Sequence, residues 1–247
     1  MSIVVTLLLI MICWFQVPAG YSEVKQDHTV EIANLLRRLY PIETEDTVKT
    51  PSLETRRNVE TRLTYLAEQS PEGRTEVIQA LIDVVKDSAA KREWPVARRW
   101  IMAVDLLGTL RATEAVEILI SNLDHTGENG IMSSVHYQPV ARALERIGKA
   151  AVPGLIQALA SEQDEVRLQA EQTLASIGKP ATSSLLDASF GNQAGVKGGA
   201  ARVLAMLGGL ETRQAIEHAI ELEKTEERRK ELRDALAEFN RRWRELN

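Results

Sequence analysis

A single cysteine among 247 residues leaves no intramolecular disulfide and no cysteine ligand set for zinc, an iron–sulfur cluster or a c-type haem. Aromatic residues make up only 4%, so a core built on large rings is excluded. Neither sign of charge dominates. Lys+Arg total 30 against Asp+Glu 35, a net charge of −5, and nucleic-acid binding lacks the basic excess it needs. Beyond the first 19 residues there is no long hydrophobic run, which excludes a polytopic membrane protein. No Asn-x-Ser/Thr sequon occurs. What the chain does have is 29 leucines and 28 alanines, an aliphatic bias that favours helices.

Residues 1–19 (MSIVVTLLLIMICWFQVPA) carry no charge, and small residues follow at Ala19 and Gly20. A short apolar core followed by a small-residue site predicts a secretory signal peptide, cut between Ala19 and Gly20. The apolar stretch is short for a bilayer span of roughly 20 residues, so an uncleaved anchor is the alternative. Cleavage removes Cys13, leaves the charge at −5, and predicts an exported chain (periplasmic or secreted) with no stable membrane insertion.

Gly148, Gly178 and Gly208 stand 30 residues apart. Leu144, Leu174 and Leu204 lie four residues before them, and Ile147, Ile177 and Leu207 one before. Ile156, Leu186 and Ile216 lie eight after. Several columns repeating together define an internal repeat. Gly108 heads a further copy, with Val104 and Leu107 before it and Ala115, Val116 and Leu119 after it. Its spacing of 40 to Gly148 places ten extra residues in the polar run 124–135, read as a loop. A diverged copy over 52–87 keeps Val77, Ile78, Leu81, Ile82 and Val85 at helical spacing. Each copy reads as a helix hairpin whose first helix ends at the glycine in a left-handed conformation. Pro153 and Pro180 fit the first turn of the second helix.

The segment 164–189 resembles a HEAT repeat, with Asp164, Val166 and Arg167 matching the family's acidic–x–aliphatic–basic pattern. Val196 and Lys197 match in the next copy, where Ala194 replaces the acid; His136 and Tyr137 depart from the pattern in the preceding one. The resemblance covers residues 94–221 well and 52–87 weakly. It implies an all-α chain, a right-handed α-solenoid of about five hairpins over 52–221, whose second-helix layer forms a concave binding face. A C-terminal helix over 222–247 is expected to cap the stack, with Leu232, Leu236, Phe239, Trp243 and Leu246 on one stripe. At the other end, 20–51 holds a short helix over 28–40 and a polar linker over 41–52.

Catalytic signatures are missing. His28, His125, His136 and His218 include no i,i+4 pair, and HExxH, GxSxG, P-loop and dinucleotide fingerprints are absent. The glycine-rich run 191–199 joins two repeats and follows no strand, so it reads as a turn. No catalytic residue, metal or cofactor is expected. One column does point outward: Glu117, Gln157, Asp187 and Glu217 stand nine residues after the four glycines. With His125 and Glu128 of the insertion, they form the candidate binding surface for a protein partner carrying basic residues. The chain is therefore expected to be a monomeric, exported, noncatalytic interaction scaffold. The alternative is a HEAT-type lyase or chaperone-like factor acting on a tetrapyrrole-carrying or other client. It calls for an aromatic or acidic pocket, and Trp94 and Trp100 are the aromatics placed near one, although packing of a first helix also accounts for them.

Overall fold

The computed structural model describes residues 28–39, 42–44, 47–49, 51–87, 97–124, 138–189, 193–222, 224 and 226–246. These are helical except for one small hairpin and the connecting turns. Helix α1 spans Thr29–Arg37, and strands β1 (Ile42–Thr44) and β2 (Thr47–Lys49) follow as an antiparallel pair with Glu43 opposite Val48. The stretch expected to be a linker thus holds two paired strands. Then come α2 (Leu53–Gln69), α3 (Pro71–Lys86), α4 (Ala97–Thr109), α5 (Val116–Ile120) and α6 (Pro139–Ile147). They are followed by α7 (Val152–Ala158), α8 (Asp164–Ile177), α9 (Thr182–Ser189), α10 (Ala194–Leu207), α11 (Gly209–Leu222) and α12 (Glu226–Leu246).

Local signals start these helices. The Ser52 hydroxyl accepts the Thr55 N–H at 3.0 Å, and the Ser70 hydroxyl accepts the Gly73 N–H at 3.0 Å with Pro71 in the first turn. Pro153 occupies the first turn of α7 as expected. Pro180 instead lies in the single 3₁₀ turn Lys179–Ala181 that leads into α9.

Packing follows the columns. Val104, Leu144, Leu174 and Leu204, four before each glycine, are all buried. So are Ala115, Leu155 and Leu185 at the seventh position after it, and Ile156, Leu186 and Ile216 at the eighth. Each fully buried leucine or isoleucine stabilises by about 1.5–3 kcal/mol, so equivalent positions hold equivalent joints. In sequence order α4, α6, α8, α10 and α12 pack side by side, and so do α3, α5, α7, α9 and α11. Helix α2 pairs with α3, and α1 packs on both.

Three repeat glycines end their helices, but in a stricter conformation than expected. Gly148 has φ 73° and ψ −131°, Gly178 φ 74° and ψ −136°, and Gly208 φ 49° and ψ −179°. A positive φ with extended ψ mirrors the β region, which glycine alone reaches freely; the left-handed helical well has a positive ψ. Each glycine N–H returns to the carbonyl of the leucine four residues before it.

Gly108 behaves otherwise. Helix α4 runs through it to Thr109, and the left-handed residue is Arg111, at φ 48°. The Arg111 N–H reaches the Gly108 carbonyl at 3.0 Å and the Ala112 N–H reaches that of Leu107 at 2.9 Å, the double bond of a Schellman ending. Gly108 is needed for contact instead: a Cβ there would lie 2.7 Å from Cα of Ala143 on α6. A non-glycine residue in the left-handed region costs about 1–2 kcal/mol, partly offset by the extra unfolded freedom of glycine. Arg111→Gly is therefore expected to stabilise by about 0.5–1 kcal/mol, read as a higher urea midpoint. A lower midpoint would mean the arginine side chain contributes more than its backbone loses.

At the far end α12 packs on α10 and α11. Phe239 is buried and stacks with Trp243, the ring centroids 6.4 Å apart and the planes 12° from parallel. The Trp243 ring lies against bare Gly208, where a Cβ would stand 2.3 Å from it. Leu236 is partly buried, while the side chains of Leu232 and Leu246 lie outside the described residues.

Candidate functional site

The outward column sits where its spacing puts it. Glu117 on α5, Gln157 on α7 and Asp187 on α9 are exposed, and these helices neighbour one another. Glu217 on α11 is half-exposed, its carboxylate accepting from Arg213 Nε at 2.8 Å, so part of its charge is already answered. His125, Glu128 and most of the insertion loop lie outside the described residues, as do Trp94 and the side chain of His218. Trp100 is fully buried and gives its indole N–H to the Val85 carbonyl at 3.3 Å, so it belongs to the core.

A second surface lies on the opposite series of helices, and its residues drew no attention in the sequence. Helix α2 turns Val59, Leu63 and Leu66 into the core. On its other side Glu60, Thr61, Thr64, Tyr65 and Glu68 line a groove of about 600 Å³, with Asp105, Leu106 and Thr109 of α4 and Arg146 of α6 opposite. The α2 residues follow the i, i+4, i+8 rule, so one stripe of the helix faces the groove. Where α4, α6, α8 and α10 each pack on the next, α2 packs chiefly on α3 and α1, and this opens the space beside α4.

The charges in the groove are unevenly answered. Arg146 Nη1 lies 3.5 Å from the Asp105 carboxylate and 3.4 Å from both the Asp105 carbonyl and the Thr109 hydroxyl, near the end of α4. Arg62 stands at 5.1 Å over the Tyr65 ring and donates to Glu31 of α1 at 2.6 Å and 3.2 Å. That bond holds the Glu31 carboxyl below its ordinary range. Glu60 is pushed the other way: burial raises its pKa first, then repulsion from Asp105, with Arg56 and Arg57 acting against the shift.

The sign of the Glu60 shift fixes a pH dependence. The unfolded chain gives up this proton more readily than the folded one, so ionisation favours unfolding. The penalty is absent at low pH, where both states are protonated. It grows as pH rises from the ordinary glutamate range and is complete above the raised value. Glu60→Gln is thus expected to raise the denaturation midpoint at pH 7 and leave it unchanged near about pH 3.5. An equal gain at both pH values would assign the effect to packing.

Carboxylate–arginine pairs also stitch neighbouring helices together. Glu31–Arg62 and Glu171–Arg202 each span 31 residues, and Asp105–Arg146 spans 41, the same interval plus the ten-residue insertion. Glu171 is buried and receives Arg202 Nε at 3.0 Å. Arg167 of the acidic–x–aliphatic–basic pattern bonds the Ser161 carbonyl at 2.6 Å and Asp164, closing the turn before its own helix.

No protein-family model matches the chain, and no curated protein matches it in sequence. Among the described residues no group of three or more His, Cys, Asp or Glu side chains converges to hold a metal ion. Nor, among them, is any helix long and apolar enough to cross a membrane.

Proposed function

We propose that this chain is an exported, noncatalytic interaction scaffold of the HEAT-like kind. In this reading α2 to α11 form about five hairpins of a right-handed solenoid, and α12 caps them. The observation that carries the reading is positional. The seventh offset is buried and the ninth exposed on α5, α7 and α9, and the eighth is buried on α7 and α9 and partly buried, at Val116, on α5. A chain built this way presents one outward side chain per repeat, at regular intervals, to a partner lying across the helices. With Glu117, Asp187 and Glu217 in that row, the partner carries basic residues. Export rests on residues 1–19, and a monomer is the expected state.

The test is capture from the exported fraction with the tagged chain lacking residues 1–19. A stoichiometric protein partner is expected, and charge reversal at Glu117, Asp187 and Glu217 together should abolish its retention. Undiminished capture by the triple variant would sink the second-helix row as the binding surface. The client-modifying alternative gains one point, since the groove beside α2 holds a tyrosine and three carboxylates. A visible absorbance band in the purified protein would favour it.

A further inference from the structure

We propose that the groove between α2, α4 and α6 is a second docking surface, which takes an extended segment of a protein partner bearing two basic residues four positions apart. This rests on the scaffold reading but not on the second-helix row, because the groove lies on the other series of helices. Three carboxylates line it against one arginine, and that arginine is committed to Asp105 and Thr109. Arg56 and Arg57 offset part of the Glu60 charge, and the rest of it, with that of Glu68, attracts cations from outside. Glu60 and Glu68 stand eight residues apart on one helix, hence about 12 Å along its axis. In an extended chain, side chains on one edge recur every second residue, and positions four apart are separated by about 13 Å. The two spacings agree.

The rest of the lining suits the same occupant. The Tyr65 ring is half-exposed, with the largely buried Leu106 at the groove floor across from it, and the ring gives the aliphatic stem of a lysine or arginine an apolar surface. Thr61 and Thr64 supply hydroxyls that can bond the backbone of an extended segment, whereas the Thr109 hydroxyl already donates to the Asp105 carbonyl. Glu60 already carries a cost from burial and from Asp105, and a cation seated beside it removes part of that cost.

The probe is a synthetic peptide of a dozen residues, mostly serine and alanine, with two arginines separated by three residues. Binding to the full chain lacking residues 1–19 is measured by calorimetry at low salt. Saturable binding is expected, weaker as salt rises, and about tenfold weaker for the Glu60→Gln, Glu68→Gln double variant. Moving the arginines to adjacent positions should weaken it similarly. Circular dichroism of the double variant shows whether it is folded, so that lost binding can be separated from unfolding. The triple charge reversal on α5, α9 and α11 should leave peptide binding intact, which separates this surface from the one proposed above. No binding, or equal binding by the double variant, overturns the proposal, whatever the fate of the second-helix row.

Discussion

Trp100→Ala is expected to destabilise the protein by about 3–5 kcal/mol, a fall in Tm on the order of 10 °C for a chain of this size. The ring is fully buried near the start of α4, among the largest side chains that solvent does not reach. Its indole N–H also reaches the Val85 carbonyl in the last turn of α3, one of the acceptors that a helix end leaves unsatisfied. Removing the side chain opens a cavity and orphans that carbonyl at the joint between two packed helices. Trp100→Phe keeps most of the volume and loses chiefly the hydrogen bond, worth about 1 kcal/mol, so it should cost less than half as much. Thermal denaturation of both variants checks this. A mild Trp100→Ala effect would show that α3 and α4 are held together elsewhere.

The second large effect separates two uses of one sequence column. Gly178→Ala places a methyl group where no heavy atom lies closer than 3.9 Å, so any destabilisation comes from backbone conformation alone. Alanine at φ 74° and ψ −136° is strained by about 1–3 kcal/mol, and Gly148→Ala should behave alike. Gly108→Ala has no conformational conflict, since that glycine is helical. It drives a methyl group into the Ala143 backbone and should cost a similar amount through forced separation of α4 and α6. Ala143→Gly would not rescue it, because the nearest atom is the Cα and not the methyl carbon. Chemical denaturation of the single and double variants decides the matter. Rescue by Ala143→Gly would mean the helices can shift to admit one methyl group.

Helix identity, the buried columns and the outward position of Glu117, Gln157 and Asp187 were legible from spacing. They follow from the period of a helix and from the length of a repeat, both of which are local properties. The role of Gly108 was not, because a glycine that ends a helix and one that admits a neighbour look the same in a sequence. Only the approach of Ala143, 35 residues away, tells them apart. The arginine stitches leave only a faint trace in the sequence, a carboxylate and an arginine 31 residues apart.

The groove marks the boundary most plainly. Residues from α2 and α4 that line it are separated by at least 37 positions. Sequence alone determined that this is a chain of packed helices with small aliphatic joints, because burial of a stripe at helical spacing is dictated by each segment for itself. Tertiary structure decided where the regular packing opens. Whether α2 settles against α4 or stands off toward α1 and α3 depends on the sum of contacts among several helices, which no single segment contains.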